Sequence, residues 1–363
     1  MLEDLKVLDF TTLLPGPYAT FLLASMGAKV TKVSAPGKVD LVLEGGPRAS
    51  TGETANRIWL HHRKDEIFID LKSEGGLAKV VELLKSGDYN CIFEQFRPGV
   101  MDKLGLGYEA VKAIVPDIVY VSITGYGQEG VYADRAGHDI NYLALSGNMS
   151  YSGRISEGPA LYGLQIADIA ASQNAVIGAL AAHNQRQLTG KGAHVDVSIL
   201  DSAIPFNAMS GVGAMLSGEN PQRENQLLNG GSMYDFYPTA DGGYMSVGAL
   251  EPKFWAEFCN VMGHPDWITA GCACEDFREK KAILREEFRA HTRDYWTEVF
   301  AKVDACVEPV LTVTEALLER ENAKNRGSVI NALAEEHPDR TSGTENPYEE
   351  EEIWIYGNPI KFR

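Results

Sequence analysis

At 363 residues the chain is long enough for two domains, and 44% hydrophobic with 23% charged residues is the profile of a globular protein that buries a large core. A formal net charge of −17 repels polyanions, which argues against nucleic acid and anionic membrane surfaces as partners. An anionic nucleotide ligand would need a local basic cluster to overcome that field.

In chain order, Lys6 to Phe10 reads as a short apolar strand, followed by the turn Leu14-Pro15-Gly16-Pro17, a helix from Tyr18 to Met26 and a second strand, Lys29 to Val33. The pattern repeats with strand Ile67–Leu71, helix Leu77–Leu84, strand Cys91–Phe93, helix Tyr108–Ile114 and strand Ile118–Ser122. Such alternation predicts an α/β protein with a mostly parallel, doubly wound sheet. A long Ala-rich helix runs from Ile166 to Gln187, closed by Thr189-Gly190-Lys191-Gly192. His194 to Ser198 alternates like a strand, Leu200 to Met215 reads as helical, and the polar stretch 217–231 is the best linker. A second module follows, with a hairpin at Ala240-Asp241-Gly242-Gly243 and helices at Lys253–Met262, Glu275–His291 and Asp294–Val303. The predicted division is a large domain over 1–187 completed by 322–363, a crossing segment over 188–230 and a small α+β domain over 231–321. The acidic stretch 335–351 reads as a solvated surface excursion.

The five cysteines have neither zinc nor thioredoxin spacing and read as reduced thiols. With no signal-peptide pattern and no apolar run of membrane length, a cytoplasmic protein is expected. Gly125-Tyr126-Gly127-Gln128-Glu129-Gly130 matches GxGxxG, but it follows a late strand, and Val131 to Gly137 is poor helix-starting material. A glycine loop that lets backbone approach a ligand fits better than a dinucleotide fingerprint. No metal-ligand spacing is present, so metal-free and cofactor-free chemistry is expected.

Chemistry-bearing residues stand at element boundaries. His138, in Gly137-His138-Asp139-Ile140-Asn141-Tyr142, lies between the glycine loop and a predicted helix start, where an imidazole can stay neutral and act as a base. The plainer reading is a helix cap or a satisfied core histidine. Asp168 sits in an apolar, small-residue stretch where desolvation would raise its proton affinity; a first-turn aspartate on the helix dipole is the alternative. Glu251 precedes Pro252 at a strand-to-helix junction and could be an ordinary helix-start carboxylate. Arg97, at the carboxyl end of a predicted strand, is placed either for phosphate or simply on the surface.

The opening Leu8-Asp9-Phe10 with Pro15-Gly16-Pro17 is followed in order by Asp70-Leu71-Lys72, Phe96-Arg97-Pro98-Gly99, Leu104-Gly105-Leu106-Gly107, Gly125 to Gln128 and Val195-Asp196-Val197-Ser198. With the more specific Gly137 to Tyr142, Asp168, and Thr239 through Phe254, these segments resemble the family III CoA-transferase superfamily over nearly the whole chain. Within it they are similar to the α-methylacyl-CoA racemase branch.

That resemblance implies a large Rossmann-like domain, a smaller domain and an interlocked homodimer, with an acyl-CoA thioester as substrate and CoA only as part of it. It implies His138 and Asp168 as two acid/base groups that remove and return an α-proton, with Glu251 assisting His138. Backbone near Gly137 and Asp139 would hold the thioester oxygen, with Tyr142 beside it. In transferases of the superfamily the aspartate is instead a nucleophile and the histidine is usually absent. Two departures concern CoA binding: Ser34 stands where an acidic residue is usual, and His61-His62-Arg63-Lys64-Asp65 carries fewer cations than expected. Lys38, Arg63, Lys64, Arg97 and Arg135 are the candidates for a positive patch. Met209–Met215 and Met233–Tyr237 are candidates for the acyl pocket.

Overall fold

The four residues of β1 (Lys6–Asp9) are almost wholly buried, as a central parallel strand with both faces covered must be. The structure, a computed structural model, describes residues 1–333 and 352–362, so the acidic stretch 335–351 lies outside the described residues. From β1 the chain turns through Leu13, at a left-handed φ of 62°, into α1 (Pro15–Ser25), whose first-turn proline suits a helix start. There follow β2 (Lys29–Ser34), α2 (Ala55–Leu60), β3 (Lys64–Phe68), α3 (Glu74–Lys85), β4 (Cys91–Glu94), α4 (Val100–Lys103), α5 (Tyr108–Lys112) and β5 (Val119–Thr124). Then come α6 (Asp139–Leu145), α7 (Ile166–Thr189) and β6 (Ala193–Ser198).

The six strands form one parallel sheet in the order β3-β2-β1-β4-β5-β6. This is the doubly wound arrangement expected, with its topological switch between β1 and β4. One face packs Leu8, Ile92 and Tyr120 beneath Val80, Leu84 and Val111. On α7 the buried positions are mostly alanine, and a Cβ at Gly178 would lie 2.5 Å from Val195 Cγ1. Small residues thus let this long helix settle directly on β6.

Beyond β6 lie α8 (Ile199–Ala203), a 3-10 turn at Ile204–Asn207 and α9 (Ala208–Ser217). Met209, Val212, Met215 and Leu216 are exposed on α9. Among the described residues the run Ile199–Ser217 alone has the length and mean hydropathy, 1.2, that a membrane span requires.

The chain forms two compact units. Met1–Ser146, Leu164–Pro205 and the described part of Arg320–Arg363 make the first; Gly147–Gly163 and Phe206–Glu319 make the second. The segment 188–230, read as a crossing segment, is therefore divided between them. Its strand β6 completes the sheet, with Val121 opposite Val195 and Ile123 opposite Val197. Gly147–Gly163, read as part of the large domain, goes to the second unit. There Arg154 donates to Asp235 Oδ2 (2.9 Å) and Glu224 Oε1 (3.1 Å), both far along the chain.

In the second unit β7 (Asp235–Pro238), β8 (Tyr244–Val247), α10 (Pro252–Met262), α11 (Phe277–Arg289), α12 (Arg293–Phe300) and β9 (Val307–Pro309) follow in order. The three strands form an antiparallel sheet in sequence order. Tyr237, Trp255, Phe258, Phe288 and Trp296 make its core, with Tyr237 and Phe288 rings 5.1 Å apart. Within the segment Met233–Tyr237, Met233 and Tyr237 belong to this core, while Tyr234 and Phe236 are exposed. The first unit closes with α13 (Glu321–Asn325) and the antiparallel pair β10 (Val329–Asn331) and β11 (Trp354–Tyr356), whose Tyr356 packs edge-on to Trp59.

Candidate active site

The loop after β5 and the helices α6 and α7 bring two of the expected chemical groups into one neighbourhood of the first unit. His138 is the N-cap residue of α6, exposed, with extended backbone; its N–H donates to Asn141 Oδ1 at 3.0 Å. Asp168 lies in the first turn of α7. The residue before that helix, Gln165, supplies no capping hydrogen bond. Asp139 supplies it from α6: its Oδ1 accepts the N–H of Ala167 at 2.7 Å and of Asp168 at 3.1 Å. These are the two N–H groups that a helix leaves for a capping oxygen.

The electrostatics follow from this packing. Burial pushes the Asp168 carboxyl up to about 7, and the neighbouring Asp139 carboxylate pushes the same way. Burial also raises Asp139, partly offset by the two N–H groups it accepts. A carboxyl that titrates near neutrality both accepts and returns protons readily.

Aromatic rings wall the loop between β5 and α6. Tyr142 on α6 packs on Tyr126 at 5.2 Å, and Tyr126 on Tyr132 at 5.9 Å, with the Arg135 guanidinium 4.1 Å above the Tyr132 ring. The Tyr142 hydroxyl donates to Gly137 O at 2.8 Å. A Cβ at Gly137 would lie 2.7 Å from Tyr126 Oη and 2.8 Å from Tyr142 Cε1, so only glycine fits beside His138. Burial and the nearby Asp168 charge raise the Tyr142 phenol far above its ordinary value, keeping it a neutral donor. Gly127 and Gly130 adopt φ of 87° and 99°, and Asp196 accepts the Gln128 N–H at 3.0 Å. No helix opens directly after this GxGxxG stretch, unlike a dinucleotide-binding turn.

The remaining candidates are spread more widely. Glu251 belongs to the second unit, where it is the exposed N-cap residue of α10 and makes no capping hydrogen bond. Lys38 and Arg63 are exposed, Arg63 at a left-handed φ of 60°. Arg97 lines a cavity of about 260 Å³ with Glu94, Asp102, Glu109, Ser122 and His194. Burial pushes the Glu94 carboxyl up to about 7. The acidic company makes this cavity poor ground for a phosphate.

Lys64 is not available to a phosphate at all, contrary to expectation. Its side chain is 0% exposed, and its Nζ donates to Thr20 Oγ1 (2.7 Å) and Pro17 O (2.8 Å) beside Asp9 Oδ2 (3.4 Å). Asp9, also 0% exposed, additionally faces Lys32 and accepts from Thr11 and Thr20. Sequence reasoning missed this buried network, and it missed Tyr126 and the capping role of Asp139. The sequence signal was Asp9 and Lys32 beside apolar residues of β1 and β2; Lys64 opens the polar run Lys64-Asp65-Glu66 and gave none.

CoA-transferase family III is the family description that matches residues 2–352. The chain belongs to that family. This family III protein is 34% identical over 333 residues to human α-methylacyl-CoA racemase, covering 91% of this chain and 82% of the relative. It is also 34% identical over 268 residues to succinyl-CoA–D-citramalate CoA-transferase of Chloroflexus aurantiacus, covering 74% of this chain and 66% of the relative. Among solved structures, a CaiB/BaiF family protein from Brucella suis superposes with a TM-score of 0.81 at 27% identity, covering 99% of this chain and 92% of the other. The doubly wound fold is thus shared with a family whose named members include both racemases and transferases.

Proposed function

We propose that this family III protein is an acyl-CoA racemase that inverts the configuration at C2 of 2-methylacyl-CoA thioesters. The observation that supports the reading is that Asp139, next to His138 at the start of α6, caps the first turn of α7 that carries Asp168. An α-proton of a thioester is weakly acidic, so its removal needs both a placed base and stabilisation of the enolate oxygen. Inversion further needs one group on each face of the planar enolate.

In the reaction one of the pair takes the α-proton of one epimer, electron density moves onto the thioester oxygen, and the other group protonates C2 from the opposite face. For the other epimer the roles reverse. The first-turn N–H groups of Asp139 and Ile140 on α6 donate to the developing oxyanion, the His138 N–H being held by Asn141. Positioned acid–base catalysis supplies roughly 10²–10⁴-fold per group, so enolate stabilisation carries much of the remaining barrier. In the interlocked dimer that the resemblance implies, Glu251 of one copy would support His138 of the other, stabilising its protonated form. Arg63, Lys38 and Arg135 are left as the basic groups for the CoA phosphates once buried Lys64 and Arg97, with its acidic neighbours, are set aside. The exposed apolar side chains of α9 support an acyl-binding surface around Met209–Met215 and an arrangement in which a second copy of the chain covers this helix, as an interlocked dimer would.

The second reading is a CoA-transferase in which Asp168 attacks the thioester carbonyl, releasing CoA thiolate and forming a mixed anhydride. Succinyl-CoA relatives at similar identity support it. Incubating the enzyme with one epimer of 2-methylbutyryl-CoA, without and then with a free carboxylic acid, separates the two. Racemisation without the acid supports the proposal; thioester exchange only with the acid overturns it.

A further inference from the structure

We infer that Asp139 is a positioning residue for this site: its carboxylate holds the first turn of α7, and Asp168 with it, against the helix start that carries His138. The assignment deepens the racemase reading and rests on it for its catalytic meaning, but its structural content stands apart from the reaction. Three observations meet in this one side chain. It follows His138 directly, at the first helical position of α6. Its Oδ1 accepts the N–H groups of Ala167 and Asp168 at 2.7 and 3.1 Å across a sequence separation of 28 and 29 residues. The helix it caps has no capping side chain of its own, although α7 is 24 residues long and carries Asp168 in its first turn.

The geometry explains why an aspartate is used. A neutral oxygen would cap the two N–H groups equally well. A carboxylate also places a negative charge beside Asp168, which favours the protonated form of that group. Among the described residues, α1, α6, α8, β5 and β6 pack most extensively against α7, and the charge that raises Asp168 is that of Asp139 on α6. Tyr142, from the same helix, faces Asp168 as a neutral phenol. One side chain therefore fixes where the Asp168 carboxyl sits and raises the pH at which it releases its proton. One oxygen of that carboxylate, Oδ1, is thereby committed to protein N–H groups.

The test compares Asp139→Asn, which keeps the acceptor oxygen and loses the charge, with Asp139→Ala, which loses both. The first readout is backbone amide hydrogen exchange at Ala167 and Asp168. Asp139→Ala should speed it about fivefold while Asp139→Asn leaves it near wild type, since one lost cap costs about 1 kcal/mol. The second is titration of the Asp168 carboxyl by 13C NMR on aspartate-labelled protein, the resonance assigned by its loss in Asp168→Asn. Asp139→Asn should lower the midpoint by about one unit, the size expected when one of two neighbouring carboxylates is neutralised. The third is the pH profile of α-proton exchange, read separately for each epimer of substrate. The limb should move for the epimer whose proton Asp168 removes and stay for the other.

Unchanged amide exchange in Asp139→Ala overturns the positioning role, and an unmoved Asp168 midpoint in Asp139→Asn overturns the charge coupling. Neither readout needs turnover. If both behave as expected while wild-type enzyme exchanges no α-proton, the racemase reading fails and the positioning role stands.

Discussion

The Tyr142 hydroxyl donates to the carbonyl of Gly137 across 2.8 Å, closing the loop that presents His138. Both residues are fixed by the same crowding, because a Cβ at Gly137 would strike the Tyr126 hydroxyl and the Tyr142 ring. Gly137→Ala should therefore push Tyr142 aside and move the backbone next to His138. A displacement of this kind costs on the order of 10²-fold in turnover where reacting groups must align. Tyr142→Phe keeps the ring and loses one hydrogen bond, worth about 1 kcal/mol, so its activity should fall far less. Steady-state rates of the two variants check the order; equal losses would remove the loop from the mechanism.

Asp168 makes a prediction about stability. Its carboxyl ordinarily titrates at 3.8 and is raised to about 7 in the folded protein. The folded state therefore binds the proton more tightly than the unfolded state. The cost of the ionised form is present in full above pH 7, shrinks as pH falls below 7, and vanishes below about 3.8. Asp168→Asn should be more stable than wild type at pH 8, by roughly 1–3 kcal/mol after allowing for the carboxyl's partial contact with water. That gain should diminish steadily toward pH 5. Urea denaturation at both pH values measures it, and a gain that grows on acidification would contradict the desolvated carboxyl.

The buried Asp9 network should behave in the opposite sense. Burial alone would raise the Asp9 carboxyl, but Lys32, Lys64 and the two threonine hydroxyls bring it down to about 2 from 3.8. Its contribution to stability is thus complete above pH 3.8 and is lost as pH falls toward 2. Lys64 is lowered to about 8 because its burial outweighs the attraction of a carboxylate shared with Lys32. Asp9→Ala strands two buried ammonium groups and should cost about 3–5 kcal/mol. Asp9→Ala with Lys64→Met should recover part of that loss. A double variant no more stable than Asp9→Ala alone would mean that Lys64 leaves the core when its partner is gone.

Most of the parallel sheet was legible because its strands are short apolar runs separated by helices, and α7 because its alanine face and glycine stop are local signals; β3 runs Lys64–Phe68 and not Ile67–Leu71 as expected, because its charged first half hides it. Other features depend on contacts that no local pattern records. The strand at His194–Ser198 alternates visibly, yet nothing in it says that Val195 lies beside Val121. Gly147–Gly163 follows α6 in sequence, but Arg154 ties it to Asp235, 81 residues on. Lys64 follows two histidines and an arginine and looks like part of a surface cluster; one strand position later than Arg63, it turns inward to Asp9. Asp139 and Asp168 were each readable as helix-start aspartates. That one caps the helix of the other follows only from the fold.

On the racemase reading Glu251 is a supporting group and not one of the proton-transferring pair. As a group that only assists His138, its replacement by Gln should lower turnover by about 10–100-fold, less than His138→Ala, and should shift the pH profile for the epimer whose proton His138 removes. Kinetics of both epimers with Glu251→Gln check this. A loss as large as that of His138→Ala would give Glu251 a proton-transfer role of its own.

The most direct measurement is incorporation of solvent deuterium at C2 of each pure epimer of a 2-methylacyl-CoA, with no acceptor acid present, in wild type and in His138→Ala and Asp168→Asn. A two-base site predicts deuterium in both epimers with inversion in the wild type. In each variant it predicts loss of inversion, with residual exchange from one epimer only, and from opposite epimers in the two variants. No deuterium in either epimer, with CoA passing to a carboxylic acid once one is added, would contradict it and make Asp168 a nucleophile.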